Sequence, residues 1–256
     1  MKIVTFNMRM ACKEDGENYF FNRLPLIVKK INQRKPDIIC AQEITDEMRL
    51  PLSAALPDYG MVGAGRNPNR LGEGVVTLFR KDTLAISSFE TLWLSSHPNT
   101  PGSIYENSDQ SDCPRVLTTA LLVPTDGCLP PFRVYNLHTD HVGADARMRA
   151  SRDLLDKIRA DLAASPMPYM AMGDFNATPD SPEMRLLSES TSPVLRDVTE
   201  SFVTTFHNFG RKKEPFKINY IFLSPEWKND EALLWTEKEN GVYLSDHYPI
   251  EVTVKM

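Results

Sequence analysis

Near the C-terminus, Leu244-Ser245-Asp246-His247-Tyr248-Pro249 sets a carboxylate beside an imidazole and follows them with a proline that fixes the backbone. Three other polar runs accompany it: Asn7, Gln42-Glu43 and Gly173-Asp174-Phe175-Asn176, each ending or following an apolar run that reads as a strand. His138 closes a further run, Tyr135-Asn136-Leu137-His138, with Asp140 and His141 just beyond it. Strands that deliver carboxylates, amides and histidines to one sheet edge match the needs of phosphoester hydrolysis. Such a reaction requires a hard cation on oxygen ligands, an activated water, and donors to the phosphoryl and leaving oxygens.

In that chemistry Glu43 supplies a metal-binding carboxylate, and Asn7 and Asp246 complete the shell. Asp174 orients or deprotonates water, Asn176 donates to a phosphate oxygen, and His138 donates to a developing oxyanion. Each residue alone has a plainer reading. Glu43 reads as a surface glutamate opening a helix, Asp174 and Asn176 as an Asx turn, and His138 as a strand-end histidine satisfied by backbone. His97, beside Pro98 in a loop, reads as structural or merely exposed. The constellation, not any one member, points to catalysis.

A chain of 256 residues with 41% hydrophobic and 25% charged residues can bury a sizeable core. One domain over residues 1–256 is expected, since neither repeat nor linker is evident. The net charge of −5 argues against a protein built to grip long duplex nucleic acid. The basic clusters Arg66 with Arg70 and Arg211-Lys212-Lys213 read by default as solvated loops. Cys12, Cys40, Cys113 and Cys128 form no Cys-x-x-Cys pair and fit reduced thiols. With no secretory h-region and no apolar stretch near the roughly 20 residues of a membrane span, a cytoplasmic location is expected, with no obligate protein partner.

These residues need elements to position them. Strands are predicted at Lys2 to Phe6, Ile38 to Ala41, Val75 to Phe79, Leu84 to Leu94, Val116 to Val123, Phe132 to Leu137, Tyr169 to Met172 (stopped by Gly173), Ile218 to Leu223 and Ile250 to Val254. Helices are predicted from Asn22 to Arg34 on a stripe of Leu24, Ile27, Val28 and Ile31, from Asp46 to Leu56, and from Gly143 to Ala164 on Leu154, Leu155, Ile158 and Leu162. Hairpin-like strands with few β–α steps imply two facing sheets with helices outside, not a doubly wound parallel sheet.

Taken in order, Asn7, Gln42-Glu43, Asn136-Leu137-His138, Gly173-Asp174-Phe175-Asn176, Asn219-Tyr220-Ile221-Phe222 and Ser245-Asp246-His247-Tyr248-Pro249 resemble the endonuclease/exonuclease/phosphatase superfamily with its deoxyribonuclease I-like fold. Trp93-Leu94-Ser95, Cys113-Pro114-Arg115, Asp140-His141-Val142-Gly143 and Thr205-Phe206-His207 resemble a bacterial branch related to the deadenylase-type members. The resemblance implies an α/β protein, a four-layer α/β/β/α sandwich of two mixed, mainly antiparallel sheets. It implies Mg²⁺ or Mn²⁺ at Glu43 with Asn7 and Asp246 close by, and Asp174 orienting the attacking water. Asn176 and His138 would bind the scissile phosphate, and His247 would be general base or transition-state stabiliser. Arg115, Glu73, Asp140, His141 and His207 would be substrate or supporting contacts.

One position departs from the family pattern: Asn219 stands where relatives usually carry an Asp that orients the histidine matching His247. An amide can hold a tautomer but brings no charge. The expected activity is therefore a phosphodiesterase, nuclease or phosphatase acting by in-line water attack on a small nucleotide, a nucleic acid end, or a phosphorylated sugar or lipid head group. The competing expectation, resting on Asn219, is a catalytically impaired phosphate- or nucleotide-binding module of the same fold. The loops from Lys13 to Tyr19, Arg66 to Gly74, Pro98 to Pro114 and His207 to Pro215 would set specificity.

Overall fold

Alternation along the first strand already separates two environments. In β1 (Lys2–Asn7) Ile3 and Thr5 turn to one side and Val4 and Phe6 to the other, and all four are buried. The computed structural model describes residues 1–256. Along the chain, β1 is followed by a 3₁₀ turn (Lys13–Asn18), α1 (Phe20–Arg34), β2 (Ile38–Ile44), α2 (Asp46–Ala55), β3 (Tyr59–Val62), β4 (Gly74–Arg80) and β5 (Leu84–Trp93). Then come β6 (Val116–Pro124), β7 (Phe132–His138), α3 (Ala144–Ala164), β8 (Tyr169–Asp174), α4 (Pro182–Ser188) and β9 (Arg196–Asp197). The chain ends with β10 (Asn219–Leu223), β11 (Lys228–Leu234), β12 (Lys238–Glu239), β13 (Val242–Tyr243) and β14 (Ile250–Lys255).

Two sheets of six strands face each other, in the orders β11-β14-β1-β2-β4-β3 and β5-β6-β7-β8-β10-β9. Each contains one parallel pair, β1 with β2 and β7 with β8, and the rest is antiparallel. A parallel pair needs a crossover, and α1 and α3 provide the two. Between the sheets lies one apolar layer including Ile3, Cys40, Phe132, Met170, Met172 and Ile221. Outside them, α1 and α2 cover the first sheet and α3 and α4 the second, each with its own core. The result is the expected four-layer α/β/β/α sandwich. No helix is long and apolar enough to cross a membrane.

The inter-sheet layer changes character along its length. Toward the C-terminal ends of the parallel strands the apolar residues give way to polar stitches between the sheets. Thr118 donates to the Val75 carbonyl (2.7 Å), Asn136 Nδ2 to the Val76 carbonyl (3.0 Å), and Gln42 Nε2 to Asn136 Oδ1 (2.8 Å). Buried polar atoms that find partners in this way fix the relative position of the sheets where the candidate site begins.

Several elements differ from expectation. β8 does not stop at Gly173 but runs to Asp174, and Gly173 is there because of close approach: a Cβ on it would lie 2.0 Å from the Leu137 carbonyl oxygen of β7. β4 and β5, which flank the Arg80-Lys81-Asp82 turn, belong to different sheets, so the turn carries the chain from one to the other. α1 is rotated from the predicted stripe: Phe20, Arg23, Leu26, Ile27, Lys30 and Ile31 are buried, while Leu24 and Val28 are only partly so. The short strand β3, the charged edge strand β11 and the short helix α4 carried no readable periodicity. Edge strands tolerate such polarity.

Gly173→Ala should cost about 2–4 kcal/mol, because the added methyl must displace β7 backbone and not a mobile side chain. Urea denaturation measures it, and a loss under about 0.5 kcal/mol would contradict the close approach.

Candidate active site

The alternation that builds the inter-sheet core also builds the site. On β7, Phe132, Val134, Asn136 and His138 share one face; on β8, Met170, Met172 and Asp174; on β10, Asn219, Ile221 and Leu223. Asn7 continues the face of Ile3 and Thr5. His138 pairs in register with Asp174, and Asp174 with Asn219, so the ends of β7, β8 and β10 meet. Glu43 arrives differently. The β2–β4 register slips between Ala41 and Ile44, a bulge that leaves Glu43 with φ of 60° and turns its side chain toward the pocket.

The Asn7 amide links the two sheets. Its Nδ2 donates to Glu43 Oε1 and to Asp174 Oδ2, both at 2.9 Å, and its Oδ1 accepts from the Arg9 N–H. Asp174 also accepts from the Asn176 N–H (3.0 Å) and lies 3.7 Å from His247 Nδ1 and 3.8 Å from His138 Nε2. Burial pushes the Asp174 and Asp246 carboxyls up, with the charge of Glu43 adding to both. Burial acts the same way on Glu43, but the Asn7 amide, His247, the Met10 N–H and Arg9 outweigh it and hold Glu43 below the usual range. Glu73 is raised by burial and by Glu43.

The histidines occupy distinct settings. His247 Nδ1 donates to Asn219 Oδ1 (2.8 Å), while Asn219 Nδ2 is buried with no partner. Arg115 reaches His138 Nε2 (3.2 Å) and His141 Nδ1 (2.7 Å). A guanidinium only donates, so both ring nitrogens accept. His138 Nε2 is therefore an acceptor toward Arg115, which leaves the ring proton on Nδ1, and burial followed by Arg115 and Arg66 holds its pKa well below the usual histidine value.

Glu43, Glu73, Arg115, His138, His141, Asp174, Asn176, Asp246 and His247 line one pocket of about 530 Å³. Asn7 and Asn219 lie behind it. Asp140 and His207 are not in its wall. Asp140 accepts from the Ser111, Val142 and Gly143 N–H groups and the Ser111 hydroxyl, bracing the entry to α3, and its Oδ1 lies 3.6 Å from Arg115 Nε in the pocket wall. His207 stacks on Tyr248 at 3.9 Å and accepts from the Gly210 N–H, and burial, then His247, lowers its pKa to about 4. Arg9 and Phe216, which the sequence reading does not single out, line the pocket, as does Phe206 of the Thr205-Phe206-His207 run. Arg66, set aside as a solvated cluster, lines the wall and pairs with Glu73 at 2.6 Å. A second cavity of about 530 Å³, between the Ser95–Pro98 loop and α3, contains no histidine, and its Asp153 is taken by the Tyr105 hydroxyl.

The donor set fits a hard divalent cation. Four carboxylates (Glu43, Glu73, Asp174, Asp246) face one pocket, and the charge of Glu43 raises the cost of ionising the other three, which a bound cation would relieve. Donor atoms of Glu43, Glu73 and His138 lie within 4.8 Å of one another. Asn7, expected beside the cation, turns its nitrogen to the two carboxylates, and its oxygen accepts from the Arg9 N–H.

Residues 4–247 match the model of the Endonuclease/Exonuclease/phosphatase family. An endonuclease/exonuclease/phosphatase from Bacteroides vulgatus superposes with a TM-score of 0.91 at 27% identity, covering 100% of this chain and 98% of its own. A mannosyl-6-phosphatase from Bacteroides thetaiotaomicron gives 0.88 at 23% identity with 100% of both chains covered. The catalytic domain of human Nocturnin gives 0.76 at 18%, covering 100% of this chain and 93% of that one. No curated protein matches the chain.

The Asp140 carboxyl is held at about 2: burial alone would raise it, and the Gly143, Ser111 and Val142 donors more than reverse that. This lies below the roughly 3.9 of an unfolded aspartate. The stabilisation is therefore complete above about pH 4 and is lost as the pH falls toward 2. Asp140→Asn should lose roughly 2 kcal/mol at pH 7 and less at pH 3. Urea melts at both pH values measure this, and an equal gap at the two would exclude the carboxylate's role.

Proposed function

The chain belongs to the endonuclease/exonuclease/phosphatase family, and on that premise we propose that it is a Mg²⁺- or Mn²⁺-dependent phosphoester hydrolase acting by in-line attack of water on a small phosphoester. The observation that carries this reading is the convergence of four carboxylates, His138 and His247 on a pocket also lined by Arg66 and Arg115. Glu43 would hold the divalent cation, with Glu73 and Asp246 nearest to assist. Bound there, the cation supplies charge neutralisation at the phosphoryl and leaving oxygens.

The protein's own groups would do the rest. Asp174, fixed by Asn7 and by the Asn176 N–H, presents a carboxylate whose burial favours proton uptake, as suits a group that orients and deprotonates water. Asn176 sits in the left-handed conformation asparagine tolerates (φ 48°) and spends one Nδ2 hydrogen on the Thr139 carbonyl. The other hydrogen is available to a phosphoryl oxygen. His247, with Nδ1 on Asn219, keeps its Nε2 lone pair for a proton. Arg66 and Arg115 offer fixed positive charge to an anionic substrate.

A pocket of about 530 Å³ in a chain of net charge −5 fits a nucleotide, a nucleic acid end or a sugar phosphate better than a long duplex. The second reading, a phosphate-binding module with impaired turnover, is favoured by one observation: Asn219 brings no charge to His247 and leaves its own Nδ2 unpaired.

Two variants test these assignments. Glu43→Gln should retain the fold while Mn²⁺-dependent hydrolysis of bis(p-nitrophenyl) phosphate falls more than about 100-fold, beyond the 10–100-fold usual for outer-shell partners. Full activity in this variant would remove Glu43 from the cation site. Asn219→Asp should raise turnover roughly tenfold or more and move the pH–rate profile upward, since a carboxylate favours the protonated ring. An unchanged profile would end the orienting role of residue 219. A wild-type protein that binds Mn²⁺ yet cleaves no phosphoester in a broad panel would favour the binding-module reading.

A further inference from the structure

Between β9 and β10, residues 205–208 form no long element, yet they bond to the chain on both sides of His247. Thr205 is fully buried and lies outside the pocket wall. Its Oγ1 accepts from the Ile218 N–H (2.9 Å) and the Asn219 N–H (3.1 Å). The Ile218 carbonyl in turn accepts from the Phe175 N–H at 2.9 Å. The backbone that presents Asn219 is thus held from two directions at the start of β10. The main chain of the same segment holds the other partner. The Thr205 carbonyl accepts from the Tyr248 N–H at 2.7 Å, and the Asp246 carbonyl accepts from the His207 and Asn208 N–H groups, each at 3.0 Å. His247 is therefore gripped through the residue before it and the residue after it. The Phe206 ring lies 4.8 Å from the His247 ring, and His207 stacks on Tyr248. β10 belongs to the second sheet, whereas the chain after Tyr248 enters β14 of the first.

We propose that Thr205 is a positioning residue: its hydroxyl holds Asn219, its carbonyl holds the chain of His247, and together they set the 2.8 Å bond between those two side chains. Its effect on the reaction rests on the reading above, in which His247 takes a proton through Nε2. A hydroxyl oxygen has two lone pairs, and the Ile218 and Asn219 N–H groups use both. Peptide groups are planar, so fixing these N–H groups fixes the direction in which the Asn219 side chain leaves the backbone. Valine has nearly the shape of threonine but no acceptor. It would leave two buried N–H groups unpaired, which favours a rearranged chain at Asn219. Serine keeps the acceptor. Thr205 thus ties the sheets a second time, through His247 and Asn219, as Asn7 ties them through Glu43 and Asp174.

The test compares full-length wild type, Thr205→Val and Thr205→Ser, with folding checked by melting curves. In ¹⁵N-labelled protein the His247 Nδ1–H resonance is identified by its absence from His247→Gln. It is expected at the same position in wild type and Thr205→Ser, and shifted or lost to exchange in Thr205→Val. In Mn²⁺-dependent hydrolysis of bis(p-nitrophenyl) phosphate, Thr205→Val should lose about 100-fold in kcat with KM nearly unchanged, and Thr205→Ser should recover most of that loss. A hydroxyl that served stability alone would lower the melting point and leave the resonance and kcat in place. An unmoved resonance in folded Thr205→Val, or none in wild type, overturns the inference, as does a Thr205→Ser as impaired as Thr205→Val. Should Thr205→Val fail to fold, amide exchange in wild type decides. Ile218 and Asn219 N–H groups protected like that of Ile221 support the tie, and free exchange overturns it. A wild type that hydrolyses nothing would overturn the hydrolase reading alone, because the resonance still decides what holds His247.

Discussion

A single amide joins the two halves of this protein at its site. Asn7 belongs to the first sheet and Asp174 to the second, and one nitrogen of Asn7 holds both Asp174 and Glu43. Two carboxylates from different sheets, buried and mutually repulsive, would otherwise drift apart or take up protons. The polar stitches behind them, Gln42 to Asn136 and Thr118 to Val75, keep the sheets in the position that makes this bond possible. The apolar layer further back supplies the adhesion, and the polar end of that layer supplies the geometry.

Charge is the second constraint. The pocket gathers four carboxylates, and burial works against the ionisation of each. The fold answers with guanidinium groups of restricted freedom: Arg66 on Glu73, Arg115 across two histidines, and Arg9 between Glu43 and Asp246. Arg23, beneath them, touches no carboxylate and acts on backbone carbonyls. Such an arrangement tolerates an anionic substrate and still has a deficit that a divalent cation relieves.

Much of this was legible in the sequence where period-2 alternation ran unbroken. His138, Asp174 and Asn219 end strands whose apolar residues share their face, so locating the strands located the site. The legibility failed where a local device overrode the period. Glu43 was read as a site residue, but the bulge that turns it into the pocket was not, and Gly173 continues a strand that a glycine would ordinarily end. It failed again where the destination of a side chain depends on a distant segment. Asp140 looked like its neighbour His141, but the backbone of Ser111, far away in sequence, claims it. Glu73 and Arg66 meet only because the loop before β4 folds back on itself. Which face of the Asn7 amide meets the carboxylates is a matter of hydrogen-bond partners, and no spacing encodes it.

The central claim is that the Asn7 bridge holds the pocket carboxylates Glu43 and Asp174 in register, and the most direct test is the rate of Mn²⁺-dependent phosphoester hydrolysis in Asn7→Ala. Loss of a preorganising donor predicts a fall on the order of 100-fold or more in kcat with the fold retained. An Asn7→Ala protein that turns over within about twofold of wild type, a difference of roughly 0.4 kcal/mol in the barrier, would contradict the account.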